Sequence, residues 1–353
     1  MLFEYPVHAT HANWLHDCLR EMVLAVHSAL DAGEDMTPWP DIIPIARRPQ
    51  IEMRTGLRDR LIAYATAAAA MTVPERLRVQ ICLEQQNRIA DLVRCTADCE
   101  RLEDLPAAIR PPIADLFSFA FELLTPLGIR DLHYRAVYDA TRYHVCPFCG
   151  CEYFDAPGAP REDLDHYLAK GRYPFAAVNL RNLVPMGMKC NERYKLAQDI
   201  LRNDAGIRRR SFDPYAHGDI AVQLLTSVPF GGADNRLPLW RIEFEPNSPE
   251  CLTWDEVFQV KERFERDVLN PLFFQWLGSF AEWFGRRINV AVPTDHEVLD
   301  AIQRYVEDVR LMKLSGRDFL RLPIFEMIHQ QCIAGNQRLF ALIRDLITFA
   351  VPA

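Results

Sequence analysis

Apolar side chains recur at helical spacing along most of this chain, and the pattern stops in one segment. Between residues 144 and 190 the chain is rich in Gly, Pro, Cys and aromatic residues with only short apolar runs, which indicates hairpins and loops. On both sides of that segment, apolar residues three and four positions apart predict amphipathic helices. We therefore expect a mainly α-helical protein with a small non-helical insert.

Capping signals and turn residues bound the predicted elements. Thr10 is the predicted N-cap of a helix that ends at Gly33, and Thr72 with Glu75 forms a start signal for another. Further helices are expected at 55–71, 75–101, 112–124, 129–141, 190–203, 253–268, 271–289, 295–313, 322–334 and 337–349. Two strands joined by a Gly-Gly turn are expected at 221–230 and 237–246.

Composition points to an ordinary cytoplasmic protein. We expect no export signal, because the N-terminus carries Glu4 and lacks a basic stretch followed by an apolar one. The apolar stretches are also too short to span a bilayer, so no membrane partner is expected. Of the ten cysteines, only those between 146 and 190 have metal-ligand spacing, and Cys95 and Cys99 are interpreted as packing residues on a helix. The thiols are therefore expected to be reduced.

Charge is distributed unevenly along the chain. The net charge is −8, but residues 141–215 hold 12 Lys/Arg against 9 Asp/Glu and are therefore net positive by 3. The rest of the chain carries the acidic excess. A basic segment attracts polyanions such as nucleic acid, although so small an excess can also arise by chance.

The insert carries chemically distinctive residues in a defined order. They are the pair Cys146-x-x-Cys149, the adjacent Asp165 and His166 in LDHYLAK, Asn182 before Leu-Val-Pro, and Cys190-Asn191 opening a segment with Lys195. This series resembles the HNH endonuclease family. The resemblance implies a small ββα-metal core at 141–215, between an N-terminal helical unit at 1–140 and a mostly helical C-terminal unit, with a short hairpin, at 216–353.

The resemblance also implies a role for each residue. His166 would be the general base, Asp165 and Asn191 would hold one Mg²⁺ or Mn²⁺ ion, and Asn182 would orient the histidine loop. The chemistry is consistent with these roles, since imidazole titrates near neutral pH and oxygen ligands suit a hard cation. An asparagine at 182 could instead simply shape a turn.

Basic residues after Cys190 are candidates for phosphate contact. Lys195, Arg193 and the run Arg208–Arg210 could bind nucleic acid, or they could form a solvated helix face and a basic loop. Lys195 is the preferred contact of this group.

The family's structural zinc is incomplete in this sequence. Cys146, Cys149 and Cys190 match three ligands, but Gly187 stands where a second Cys-x-x-Cys pair would begin. A fourth ligand would have to come from Cys151, from His144, from water or from nothing.

The resemblance implies a metal-dependent endonuclease, with double-stranded DNA favoured over RNA as its substrate. Proteins of this layout resemble bacterial antiviral defence or toxin effectors, which often work with an ATPase or another protein partner. The alternative is a nucleic-acid or protein adaptor that keeps a zinc-ribbon-like scaffold without turnover.

Overall fold

The structure is a computed structural model, and it is mainly helical. It describes the whole chain except residues 142–143, 160–163, 217, 233–234, 289, 291, 313–315 and 351–353. Its contacts divide the chain into two compact units. Unit 1 comprises Met1, Phe3–Cys146 and Phe154–Gly218, and unit 2 comprises Leu2, Pro147–Tyr153 and Asp219–Ala353.

Unit 1 contains the N-terminal helices and most of the insert. Its α-helices are α1 (Trp14–Ala32), α2 (Arg48–Ile51), α3 (Thr55–Ala69), α4 (Val73–Gln86), α5 (Ile89–Val93), α6 (Arg110–Leu123) and α7 (Ile129–Ala140). The prediction that α1 ends at Gly33 is confirmed, because this glycine adopts the left-handed conformation with φ of 73°. Thr10 is not the N-cap. It belongs to a 3₁₀ turn, where its hydroxyl donates to the carbonyl of Val7 at 2.8 Å.

The predicted start of α4 is confirmed and its predicted end is wrong. Thr72 and Glu75 form the capping box, with the Thr72 backbone N–H donating to the Glu75 carboxylate at 2.9 Å. The helix stops at Gln86 instead of continuing to 101, and after the short α5 Cys95 takes a left-handed conformation with φ of 58°. Cys95 and Cys99 therefore do not lie on a helix, although Cys99 is buried.

One apolar core joins the insert to the N-terminal helices. Phe175, Val178 and Leu180 of the insert belong to the same buried cluster as residues of α1, α3, α4 and α6. The ring of Phe175 contacts that of Phe117 edge to face, with centroids 5.1 Å apart. The insert is thus built onto the helices rather than around a separate core.

Unit 2 combines a two-stranded sheet with helices. Strand β3 (Ala221–Gln223) pairs antiparallel with β4 (Glu243–Glu245), and a bridge joins Val228 to Leu239. The regular strands are shorter than predicted. The helices are α8 (Pro249–Phe258), α9 (Val260–Phe264), a π-helical turn (Glu265–Leu269), α10 (Asn270–Arg287), α11 (Asp295–Met312), α12 (Arg321–Ile333) and α13 (Gln337–Ala350).

The predicted helix at 253–268 is interrupted. Gln259 adopts φ of 50°, which ends α8 and separates it from α9. Among the described residues, no helix has both the length and the apolar character needed to cross a membrane.

Two buried histidines in unit 1 make its stability depend on pH. Burial lowers the pKa of both His16 and His27 to about 4. In the unfolded chain these two histidines are protonated as pH falls below about 6.5, whereas in the folded chain they are protonated only near pH 4. Folding stability from this source is present at neutral pH and is lost as pH falls through that window.

We predict that His27→Gln reduces this pH dependence. Between pH 6.5 and 5, the free energy of unfolding should fall by about 1 kcal/mol less per pH unit than in the wild type, because one titrating group is gone. Urea unfolding at several pH values measures this. Replacing Ser28 by Ala, at an exposed position of the same helix, removes no titrating group and should leave the slope unchanged. Equal slopes for wild type and His27→Gln would contradict the prediction.

Candidate functional site

A short antiparallel hairpin places the Asp-His pair beside the central asparagine. Strand β1 (Leu164–His166) pairs with β2 (Leu183–Pro185), with Asp165 opposite Val184 and His166 opposite Leu183. The register continues one step further, because the Tyr167 backbone N–H donates to the Asn182 carbonyl at 2.9 Å. The hairpin thus brings together residues that are 16 positions apart in sequence.

The Asn182 side chain ties down the loop that follows His166. It is fully buried, and its Oδ1 accepts a hydrogen bond from the Leu168 backbone N–H at 2.6 Å. Its Nδ2 donates to the carbonyls of Leu168 at 3.0 Å and Ala176 at 3.1 Å. Asn182 also ends a 3₁₀ turn, but the side chain that caps this turn is that of Asn179. The Asn182 side chain therefore acts between segments, on the histidine loop.

The C-terminal end of helix α4 also holds the loop that follows His166. The Gln86 side-chain oxygen accepts from the Phe175 backbone N–H at 3.0 Å, and Asn87 donates to the Phe175 carbonyl at 3.3 Å. Because both backbone groups of Phe175 are bound, the 3₁₀ turn Pro174–Ala176 is fixed against the helices.

The His166 ring is held in one tautomer. Its Nε2 lies 3.1 Å from the Ala177 carbonyl, and a carbonyl can only accept, so Nε2 carries the proton and Nδ1 keeps its lone pair. The Phe121 ring packs against the imidazole with centroids 4.3 Å apart. His166 retains 9% of its surface exposed, so a small reactant can reach the residue.

Burial and nearby cations keep His166 neutral. Burial is the largest cause that lowers the pKa of His166 to about 3, and Lys170, Lys195 and Arg130 lower it further. At neutral pH the imidazole is therefore in the form that can accept a proton. The sequence pattern contains Lys170 within LDHYLAK, whereas nothing in it indicates that Phe121 and Arg130 lie near the ring.

The segment after Cys190 is not the predicted helix at 190–203. Cys190–Lys195 forms a six-residue π-helical turn, and Leu196 ends it with φ of 49°. Beyond it the chain is held irregularly, because the Asp199 carboxylate accepts from the Leu201 backbone N–H at 2.9 Å and from the Tyr173 hydroxyl at 2.8 Å. Where the resemblance implies a strand pair followed by a helix, the structure has two three-residue strands and one π turn.

Lys195 is buried inside the site instead of facing solvent. Its Nζ lies 2.8 Å from Oδ2 of Asp165 and donates to the His166 carbonyl at 2.8 Å. The side chain has no exposed surface to offer a phosphate. Burial raises the pKa of Asp165, and the Lys195 ammonium acts in the opposite direction.

The other predicted polar residues are distributed differently. Asn191 is half-buried in the π turn, and within the described part of the chain its side chain makes no hydrogen bond with Asp165. Arg193 is exposed and available for an anion. Arg208 is committed to the protein, since it donates to the carbonyls of Leu92, Ala97 and Leu201.

A divalent cation does not fit at Asp165 as the chain is folded. The carboxylate already has a cation at contact distance, the Lys195 ammonium, whose Nζ lies 2.8 Å from Oδ2. Bringing Mg²⁺ or Mn²⁺ to this carboxylate would place it against the ammonium at close range, where like charges repel strongly.

The cysteines of the predicted zinc set do converge. The Sγ atoms of Cys146, Cys149 and Cys190 all lie within 4.8 Å of one another, and all three residues are buried. Thiolates about 2.3 Å from one zinc ion fall within such a spacing, so this donor set suits zinc. Cys151 is outside the group, and its thiol donates to the Cys149 carbonyl at 3.1 Å. His144 is outside it as well, stacked on Tyr138 with centroids 4.0 Å apart.

Comparison with known proteins adds nothing to the resemblance. No family model matches the chain, and neither a curated protein nor a solved structure matches it.

We predict that Asn182→Ala loosens the histidine loop. Three buried hydrogen bonds are lost, and partners that remain buried cannot find water, so the free energy of unfolding should fall by roughly 2–4 kcal/mol. Urea unfolding measures the loss. Asn247→Ala, at an exposed position, should change stability by less than about 0.5 kcal/mol. A stable Asn182→Ala protein would show that these bonds do not hold the loop.

We predict that the purified protein carries about one zinc ion per chain. Cys190→Ser should lower the zinc content and the melting temperature together, because binding energy at a structural zinc is folding energy. Elemental analysis beside thermal unfolding tests this. Cys95→Ser is the control, since Cys95 is exposed and outside the group. Wild-type protein without zinc would contradict the prediction.

Proposed function

We propose that unit 1 is a nuclease that hydrolyses nucleic-acid phosphodiesters, with His166 as the general base. One observation carries the proposal: the Ala177 carbonyl fixes the proton on Nε2, so that Nδ1 of a neutral imidazole is left to accept one. General bases are commonly oriented in this way by a hydrogen bond to the second nitrogen. The Asn182 hydrogen bonds hold the loop after the histidine, as a positioned base requires.

The chemistry assigned to His166 is a single proton transfer. Nδ1 takes a proton from water, the water oxygen forms a bond to phosphorus, and the bond from phosphorus to the leaving sugar oxygen breaks. The leaving oxygen takes a proton from solvent water and the imidazolium returns its proton to solvent, so the net reaction adds one water molecule across the phosphodiester. No step is routed through a divalent cation, because none fits beside Lys195.

Charge supports a polyanionic substrate. Lys170 and Arg193 are exposed, and Lys170 acts on the His166 ring, so a phosphate near the imidazole would meet a positive field. The resemblance favours double-stranded DNA over RNA. Because the chain outside 141–215 is acidic, we further propose that a protein partner, such as an ATPase of a defence system, helps to bring the substrate to the site.

The second candidate is a non-catalytic adaptor. The observation that favours it is the Asp165–Lys195 ion pair, because it occupies the carboxylate that the resemblance assigns to a metal. In this case the hairpin and the cysteine group would serve as a binding scaffold. The two candidates differ in turnover, so a cleavage assay separates them.

We predict that His166→Gln lowers plasmid nicking by at least about 100-fold in whichever of Mg²⁺, Mn²⁺ or chelator the wild type cleaves. Glutamine can still donate to the Ala177 carbonyl, but it cannot take a proton from water. Circular dichroism should show that the variant is folded.

His11→Gln is the matched control, because His11 is an exposed histidine of the same unit. It should cleave at the wild-type rate. A His166→Gln protein with wild-type activity would remove His166 as the base. Absence of cleavage by the wild type in all three conditions and on RNA would favour the adaptor.

A further inference from the structure

The candidate site contains a buried cation, the ammonium group of Lys195. Lys195 has no exposed surface, and its ammonium contacts two groups of β1, the Asp165 carboxylate at 2.8 Å and the His166 carbonyl at 2.8 Å. A lysine that is removed from water in this way remains charged only if it is paired and hydrogen-bonded. Both conditions are met here.

We propose that the Lys195 ammonium is the resident cation of Asp165, and that it excludes divalent cations from this carboxylate. This inference rests on the proposed function, because it concerns Asp165, the residue to which the resemblance to HNH nucleases assigns a metal ion. A divalent ion needs several oxygen ligands in a defined geometry. Here the ammonium lies 2.8 Å from one carboxylate oxygen of Asp165, so that oxygen is not open to a second cation.

The pair also fixes the position of His166. The Lys195 ammonium contacts both the Asp165 side chain and the His166 backbone carbonyl. It therefore joins the π turn to β1 at the residue that carries the imidazole. Lys195 is therefore a positioning residue that does not touch substrate.

Manganese binding tests the proposal without reference to cleavage. Mn²⁺ is titrated into the zinc-loaded full-length protein, and the free ion is measured by its paramagnetic resonance signal. Wild type and Asp165→Asn should bind the same amount of Mn²⁺. Lys195→Met should gain one ion per chain, with an affinity at least about tenfold above the wild-type background. Asp165→Asn combined with Lys195→Met should lose that ion.

Two results would overturn the proposal. One is Asp165-dependent Mn²⁺ uptake by the wild type, and the other is a folded Lys195→Met protein that gains none, because the lysine would then not be what excludes the cation. A failed nuclease assay affects neither readout, so the two proposals fail separately.

Urea unfolding of the same variants shows whether each of them is folded. Lys195→Met leaves the Asp165 carboxylate buried without its partner, whereas the double variant has a neutral pair and should recover a higher urea midpoint. Lys195→Arg keeps the charge and should bind no Mn²⁺ at Asp165. If Lys195→Met does not fold, Mn²⁺ binding by the wild type and by Lys195→Arg is compared with binding by Asp165→Asn. Either protein binding more Mn²⁺ than Asp165→Asn would overturn the proposal.

Discussion

The ion pair between Asp165 and Lys195 is the constraint on which the candidate site depends. Both side chains are buried, and removing one charge of such a pair leaves the other uncompensated in a low-dielectric environment, at a cost of about 3–5 kcal/mol. The pair therefore fixes how the π turn Cys190–Lys195 lies against β1. Because the same ammonium holds the His166 carbonyl, the geometry of the histidine depends on it as well.

The helices of unit 1 serve this site as a scaffold. Polar groups at two helix ends reach into the insert: Gln86 binds the Phe175 backbone at 3.0 Å, and Asn13, the N-cap residue of α1, accepts from the Leu180 backbone N–H at 2.8 Å. Such bonds position the segment that connects β1 to β2. The strands are only three residues each, so these side chains and the shared apolar core supply the rigidity that a larger sheet would give.

The features that the sequence predicted well, the helices and the start of α4, depend on residues close together in the chain. The 3.6-residue apolar period and the Thr72–Glu75 capping box indicated the helices, because each signal lies within a few turns of the chain. The burial of Lys195 was not predictable in this way. Its position in a lysine- and arginine-containing segment is typical of a solvated face, and only the fold shows that Asp165, 30 residues earlier, is its partner. The predicted helix at 190–203 is wrong for the same reason. Leu196 ends the π turn with φ of 49°, and the Asp199 carboxylate binds the Leu201 backbone N–H and the Tyr173 hydroxyl, which the local pattern does not encode.

The cations around His166 then divide into two kinds with different consequences for a proton transfer. Lys195 is buried and paired with Asp165, whereas Lys170 is exposed and can be neutralised by a phosphate. Both lower the pKa of His166, after burial, to about 3. A base with so low a pKa is neutral but weak. On the proposed function, a bound phosphate cancels the Lys170 charge and adds its own negative charge near the ring, and each of these effects favours the imidazolium. The polyanion would thus raise the basicity of His166 only where a scissile phosphate lies beside it.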